Sequence, residues 1–196
     1  DKVRANGHPD AMFEMSLLLP RVDPRTPWPD PAQAPALRGA HAEQAWALAA
    51  KEQFGDALLA DYFDDYLQML ERMLKDDGST NSSRLLGFFQ FWLDTQSSDA
   101  TTDKCLVVKL SAEVTDLSEV MRITLKNGTD RVIARLTNCV QEGIRQGEFP
   151  ANLDAKTVTA EIYYMWIGAT LLTKVGRTRA ALECAMNATK ARLGLD

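Results

Sequence analysis

The spacing of apolar residues divides the chain into a proline-rich beginning and a long helical remainder. Seven of the eight prolines lie between Pro9 and Pro35, and proline removes a helix donor and clashes with the preceding turn. Proline is absent from residues 36–149 and again after Pro150. In these stretches apolar residues recur every three or four positions, which is the period of an amphipathic helix. The pattern predicts an all-α fold built from long helices.

Six helices are expected from this period and from residues that start or stop helices. Asp103 and Asp154 are suitable caps for the third and fifth helices, and Asp116 with Glu119 has the sequence form of a capping box. Gly78 and Gly147 are expected to end the first and fourth helices. Cys105–Leu110 fits a short strand as well as a buried helix. The expected helices run from about Ala40 or Lys51 to Lys75, from Ser82 to Gln96, from Lys104 to about Val114, from Asp116–Glu119 to Gly147, onward from Asp154, and from Thr178 to Arg192.

The fifth helix contains a long stretch without charge, Ile162–Thr173. A helix that is apolar on all sides is buried in a core or at an interface. Gly168 and Ala169 in its middle would let a partner helix approach closely. The pattern leaves both a core position and an interface position open for this helix.

The overall composition is that of a globular protein with no sign of strong affinity for phosphate backbones. The 196 residues are 45% hydrophobic and carry a net charge of −5. Cys105, Cys139 and Cys184 are odd in number and far apart, which favours free thiols in a reducing cytoplasm over a disulfide framework. The uncharged runs are shorter than the roughly 20 residues of a membrane span. We expect a cytoplasmic protein without a membrane segment.

Four motifs, in order along the chain, carry a resemblance to a known family. They are Lys51–Leu59, Cys105–Glu113, Asp116–Arg122 and Tyr164–Lys174. Together they resemble TetR-family transcriptional regulators, and within them the branch named after the N-ethylmaleimide reductase repressor. The resemblance covers about three quarters of the chain. It implies a helical bundle with an N-terminal helix-turn-helix domain followed by a ligand-binding and dimerisation domain.

The resemblance implies that residues 1–50 take the position of the DNA-binding domain and residues 51–196 the sensing and dimerising part. The family signature Gly-Ser/Thr-Phe/Leu-Tyr-x-Tyr-Phe before Lys51-Glu52 is missing, and Gly39–Ala50 stands in its place. Residues 1–50 have the expected length but hold five Lys or Arg against six Asp or Glu. A shifted reading frame or uncertain sequence is one explanation, and a divergent arm is another. The DNA-binding residues stay unknown.

Cys105 is the residue most suited to chemistry. It is expected at the second position of the helix that Asp103 caps, where backbone amides and the helix dipole favour a thiolate. Lys104 is adjacent and Lys109 lies one turn further on. A packed, inert cysteine is the commoner situation, since free cysteine is among the most buried residue types. The resemblance to a reductase repressor favours instead a regulatory thiol that senses electrophiles or oxidants.

A ligand pocket is expected beside this thiol, because ligand sites are mostly apolar with a few polar groups. Most aromatic residues will be core, and Trp92 and Trp166 are the best choices for ligand contact. Lys174 could bind an anionic ligand or stabilise a thiolate, although a lysine extending to solvent from a helix end is commoner. Glu113 could accept a hydrogen bond from a ligand or be solvated. The pocket set is Phe88, Trp92, Lys109, Glu113, Tyr163, Trp166 and Lys174.

Catalysis finds no support in the sequence. Both histidines, His8 and His41, lie in the unusual N-terminal segment, so no hydrolase triad or metal site is proposed. No glycine-rich phosphate loop follows a strand, and we expect no cofactor. The resemblance implies a homodimeric repressor that pairs through the last two long helices, binds operator DNA and responds to a small molecule or electrophile. The alternative is a helical ligand-binding and dimerising protein that no longer binds DNA.

Overall fold

The computed structural model describes residues 40–97 and 105–195. Every regular element in these two ranges is a helix, so the prediction of an all-α fold is confirmed. The helices are α1 (Ala40–Met73), α2 (Asn81–Ser97), α3 (Leu106–Leu117), α4 (Glu119–Arg145), α5 (Ala155–Gly176) and α6 (Ala180–Leu193). The predicted boundary at residue 51 falls inside α1, which continues through it without a break. Residues 1–39, with most of the unusual N-terminal segment, lie outside the described ranges.

Helix α1 lies directly against α4, and two glycines allow the close approach. A methyl group on Gly128 would stand 2.2 Å from the ring of Phe63, and one on Gly55 would stand 2.7 Å from the end of Met121. Both distances are below van der Waals contact, so a side chain at Gly128 would displace the Phe63 ring and one at Gly55 would require the flexible end of Met121 to move. The pair of helices is fixed further by the ion pairs of Arg131 with Asp64 and Arg135 with Glu71.

Three of the predicted helix signals are confirmed. Asp154 is the N-cap of α5, and its carboxylate accepts a hydrogen bond from the amide of Lys156 at 3.1 Å. Gly147, just beyond the end of α4, has φ +76°, and Gly78 after α1 has φ +88°. Both angles lie in the left-handed region that glycine adopts without steric cost.

The predicted capping box at Asp116–Glu119 is wrong. Asp116 lies inside α3, and the cap of α4 is Ser118, which has extended backbone angles and accepts a hydrogen bond from the amide of Met121 at 3.2 Å. Asp116 and Ser118 are both residue types that cap helices, and Ser118 is the one that does so here. Here the Ser118 hydroxyl also donates to the Glu52 carboxylate on α1.

The beginning of α2 is held by a residue far away in the sequence. The Glu148 carboxylate, from the loop after α4, accepts hydrogen bonds from the amides of Asn81 (3.0 Å) and Ser82 (2.7 Å) and from the Asn81 side chain (3.0 Å). Arg84 donates to the other side of the Asn81 amide at 2.8 Å. Two backbone amides that a helix leaves unpaired at its N-terminus are thus satisfied from outside the helix.

No helix in the described part of the chain is both long enough and apolar enough to cross a membrane.

Candidate functional site

Cys105 occupies the N-cap position of α3, immediately before its first residue, Leu106. The predicted second position is therefore wrong by two residues, and the strand alternative for Cys105–Leu110 is wrong too. The predicted neighbours Asp103 and Lys104 lie outside the described residues. The side chain of Cys105 makes no capping hydrogen bond, whereas its backbone amide donates to Oε1 of Gln96 at 2.9 Å.

Opposing influences act on the half-buried thiol of Cys105. Burial raises the pKa of the thiol, because water no longer stabilises the thiolate. The first-turn amides of Val108 and Val107 and the ammonium of Lys174 lower that pKa. Burial is the strongest of these effects, so the net pKa is raised. The helix terminus and Lys174 thus favour the thiolate, whereas burial keeps the thiol largely protonated at neutral pH.

Two tyrosines complete the surroundings of the thiol. Burial raises the pKa of Tyr66 on α1 well above its ordinary value, and Cys105 contributes to that rise. Burial also raises the pKa of Tyr163 on α5, again with a contribution from Cys105. Both phenols stay neutral at physiological pH and can donate or accept a hydrogen bond. The structure therefore places α1, α3 and α5 around one nucleophilic group.

The two other cysteines have different environments. Cys139 on α4 is buried, and its sulfur donates a weak hydrogen bond to the Asn81 carbonyl at 3.7 Å. Burial raises the pKa of Cys139, while Arg135 and Arg84 lower it. Cys184 on α6 is exposed. The chain thus carries one half-buried, one buried and one exposed thiol.

The four predicted aromatic pocket residues lie together in the core. Trp92 on α2 contacts Tyr163 and Trp166 on α5, with ring centroids 5.6 and 5.7 Å apart, and Phe88 contacts Trp92 on the same helix at 5.8 Å. The Trp92 indole donates to Thr170 at 3.0 Å, and the Trp166 indole donates to Thr189 at 2.9 Å. Both polar groups of the indoles are therefore satisfied within the protein. Tyr163 is the member of this cluster that also neighbours Cys105.

The remaining predicted site residues divide by position. Lys174 lies at the C-terminal end of α5, and its ammonium lowers the pKa of the Cys105 thiol. Lys109 is half-buried on α3. Glu113 lies on the same helix, but its side chain is outside the described part of the structure. No group of three or more metal-ligating side chains occurs among the described residues.

Sequence reasoning missed Tyr66 and Gln96. Tyr66 looked like one more apolar position in the period of α1. Gln96 looked like the polar end of α2, yet it is 6% exposed and reaches the next helix. A polar residue at an otherwise buried helical position was the available signal for Gln96, because buried polar groups require hydrogen-bond partners.

One face of α5 exposes large apolar side chains. Tyr164, Leu171, Leu172 and Val175 are 52 to 77% exposed and recur at helical spacing. Gly168 lies on the same face, and a methyl group there would meet nothing within 4 Å. The face is flat in the middle and apolar at both ends.

Comparisons with known proteins place the described helices in a family. Residues 82–189 match the model of the tetracyclin repressor-like C-terminal domain. The HTH-type transcriptional repressor NemR of Escherichia coli K12 is 35% identical over 137 residues, 69% of this chain and 68% of that protein. The HTH-type transcriptional repressor DhaR of Mycobacterium sp. GP1 is 26% identical over 133 residues, 68% of this chain and 65% of that protein.

Two solved structures of transcriptional regulators are also similar to this chain. The crystal structure of E. coli NemR in its reduced form is 31% identical and has a TM-score of 0.67, with 83% of this chain and 79% of that one covered. A crystal structure of a transcriptional regulator described as a TetR/AcrR family member is 28% identical and has a TM-score of 0.67, with 94% of this chain and 97% of that one covered.

Proposed function

This chain belongs to the TetR family of transcriptional repressors, and from that premise we propose that it is a homodimeric repressor whose operator binding responds to an electrophile or another small molecule acting at Cys105. The observation that carries the proposal is the position of Cys105, at the N-terminus of α3 and within electrostatic reach of Lys174, Tyr66 and Tyr163. The relative NemR, whose crystal structure is described as the reduced form, adds support for thiol chemistry in this branch.

The chemistry suited to this site is addition of the thiol to an activated alkene. The Cys105 proton leaves to solvent, the sulfur forms a bond to one alkene carbon, the π bond breaks, and the other carbon takes a proton. Atoms and electrons balance without an oxidant. Because the thiolate is the reacting form, Val107, Val108 and Lys174 promote the reaction and burial restrains it. Burial thus slows modification of the thiol by unrelated electrophiles.

The exposed apolar face of α5 supports self-association. Monomeric proteins rarely leave large contiguous apolar surfaces in water. Tyr164, Leu171, Leu172 and Val175 would become buried against the same face of a second copy, with Gly168 allowing the helices to approach. A Leu172→Glu substitution is then expected to give monomers in sedimentation velocity, whereas Glu161→Gln on the same helix is not.

Residues 1–50 are proposed as the DNA-binding domain, and the protein is proposed to act in the cytoplasm. Two such domains in a dimer would recognise a near-palindromic operator. An effector can release the operator only if it favours one arrangement of the two domains through its own binding free energy. The unbroken course of α1 from Ala40 to Met73 supports this coupling, because it joins the end of the 1–50 segment to Tyr66 beside the thiol.

The test is a gel-shift titration of the full chain against DNA from its own upstream region. We expect a retarded complex that weakens with rising salt. Prior treatment with N-ethylmaleimide should abolish it in the native protein but not in Cys105→Ser. Retardation that N-ethylmaleimide leaves unchanged would refute the sensing role of Cys105.

A second candidate is a ligand-binding and dimerising protein that has lost DNA binding. It is favoured by the missing Gly-Ser/Thr-Phe/Leu-Tyr-x-Tyr-Phe signature before Lys51 and by the small excess of acidic residues in 1–50. Absence of any salt-sensitive retardation would favour this reading. Reading all three frames of the coding DNA would show whether the signature exists in another frame.

A further inference from the structure

Gln96 on α2 supplies a hydrogen-bond acceptor at the N-terminus of α3, where a conventional capping residue is missing. The N-cap of α3 is a cysteine without a capping hydrogen bond, although Ser, Thr, Asp and Asn are the residues that normally satisfy a helix N-terminus. The Cys105 amide donates instead to Oε1 of Gln96 on the preceding helix, at 2.9 Å. The position of Cys105 therefore depends on α2.

Helix α2 makes Gln96 a fixed point. One turn before it, Trp92 is 4% exposed and bonded to Thr170, and Leu93 is also buried. The Gln96 amide is oriented as well, since its Nε2 donates to the Thr95 hydroxyl at 3.4 Å and leaves Oε1 facing Cys105. A buried, oriented acceptor on a rigid helix holds its donor within a few tenths of an ångström.

The consequence concerns the sulfur. With its amide held, Cys105 keeps its place at the N-terminus of α3, where the amides of Val108 and Val107 and the ammonium of Lys174 lower the pKa of the thiol. If that amide is released, the residue can rotate away from the helix terminus, whose influence fades within the first turn. We infer that Gln96 is a positioning residue for the Cys105 thiol, holding it where the α3 terminus and Lys174 promote its reaction with electrophiles. This inference rests on the proposed sensing role of Cys105.

The experiment uses the three cysteines of the chain as separate reporters. Native protein, Gln96→Met and Gln90→Met are treated with N-ethylmaleimide from pH 6 to pH 9, and labelling of each cysteine is followed by peptide mass spectrometry. Methionine preserves the length of Gln96 but removes the acceptor. Gln90 is exposed on the same helix and serves as the matched control. The titratable groups facing Cys105 are Tyr66, Tyr163 and Lys174, and all three are unchanged in every variant.

In Gln96→Met we expect Cys105 to react about fivefold more slowly throughout pH 6 to pH 9, where the rate follows the thiolate fraction, because the variant loses the helix-terminus interaction that stabilises the thiolate. Exposed Cys184 should react as before, and buried Cys139 should stay protected. Gln90→Met should behave like the native protein. A Cys105 rate that is unchanged or faster in Gln96→Met, with Cys139 still protected, overturns the inference.

Two further outcomes separate the possible failures. If Cys105 of the native protein does not react at all in this pH range, the proposed sensing function fails. Labelling of Cys139 would show that Gln96→Met does not fold. In that case the inference is tested on the native chain, by measuring hydrogen exchange of the Cys105 amide after selective ¹⁵N-cysteine labelling. Slow exchange supports the inference, and exchange at the rate of an unprotected amide overturns it.

Discussion

The N-termini of α2 and α3 are both held by a side chain from another part of the chain, but with very different completeness. At α2 the Glu148 carboxylate accepts from two backbone amides and from the Asn81 side chain. At α3 the Gln96 amide accepts one hydrogen bond, and the N-cap position itself is given to Cys105. The α2 terminus is satisfied by a carboxylate, whereas the α3 terminus carries a thiol at its N-cap position.

This difference separates stability from reactivity. A carboxylate at a helix N-terminus satisfies orphan amides and interacts favourably with the helix dipole. The same amides, offered to a sulfur, stabilise a thiolate instead. The α2 terminus is thus built for stability, and we expect the α3 terminus to give up stability in order to keep Cys105 available. Four substitutions or conditions test that contrast.

The largest effect is expected from removing the external cap of α2. Glu148→Ala leaves the amides of Asn81 and Ser82 without partners and should lower the free energy of unfolding by about 2 kcal/mol. Urea denaturation followed by circular dichroism measures it. Glu161→Ala, an exposed residue paired with Arg192, is the control and should change the free energy by at most about 0.5 kcal/mol. Equal losses in the two variants would contradict the role of Glu148.

A helix capped by its own side chain should show a smaller loss. Ser118→Ala removes the hydroxyl that accepts from Met121 and contacts Glu52, and should cost about 1 kcal/mol in the same urea measurement. Ser83, exposed on α2, provides the control, since Ser83→Ala removes no N-cap. A loss as large as that of Glu148→Ala would mean that the contact with Glu52 matters more than the cap.

A capping residue placed at the α3 terminus should raise the free energy of unfolding. Cys105→Ser supplies a hydroxyl that can cap the helix and should raise the free energy of unfolding by about 0.5 kcal/mol. The same change on exposed Cys184 should be neutral. A stabilised but electrophile-insensitive Cys105→Ser protein would demonstrate the exchange of stability for reactivity. Destabilisation by this substitution would show that the thiol contributes more through packing than through chemistry.

The smallest effect is expected in the pH dependence of the stabilisation that Glu148 gives to the α2 terminus. Burial raises the pKa of Glu148, but the hydrogen bonds from Ser82 and Asn81 lower it more, so the folded pKa lies below the ordinary value of 4.5. The stabilisation is therefore complete above about pH 4.5 and is lost as pH falls through the folded pKa. The stability difference between the native chain and Glu148→Gln should shrink over that interval. A difference that stays constant down to pH 3 would rule out a contribution from ionised Glu148.

Local signals in the sequence predicted the helices but not how their ends are held. The structure confirms the helices predicted from the proline-free stretches and the local signals at their ends, Asp154, Gly78 and Gly147. These three residues act on backbone atoms close to them in the sequence. Asp116 and Ser118 are both able to cap, and contact with Glu52, 66 residues away, accompanies the choice of Ser118. No local pattern contains that information.

The candidate site was predictable only in part, for the same reason. The apolar period places Trp92, Tyr163 and Trp166 inward, and the sequence singled out Cys105 and Lys174. That Lys174 lies near Cys105 follows from the packing of α5 beside α3. Tyr66 joins the site through the packing of α1, and Gln96 joins it through a hydrogen bond from α2 across the connection to α3. Neither contact follows from the apolar period of a single helix.

The two buried indoles give the protein an internal optical gauge. Trp166 stacks on Phe89 with ring centroids 4.8 Å apart, while Trp92 meets the edge of Tyr163, the neighbour of Cys105. Indole emission depends on shielding from water and on nearby rings, so rearrangement around a modified thiol would reach Trp92 before Trp166. In a chain with Trp28 and Trp46 replaced by phenylalanine, the emission spectrum would then follow effector binding in real time without any attached dye.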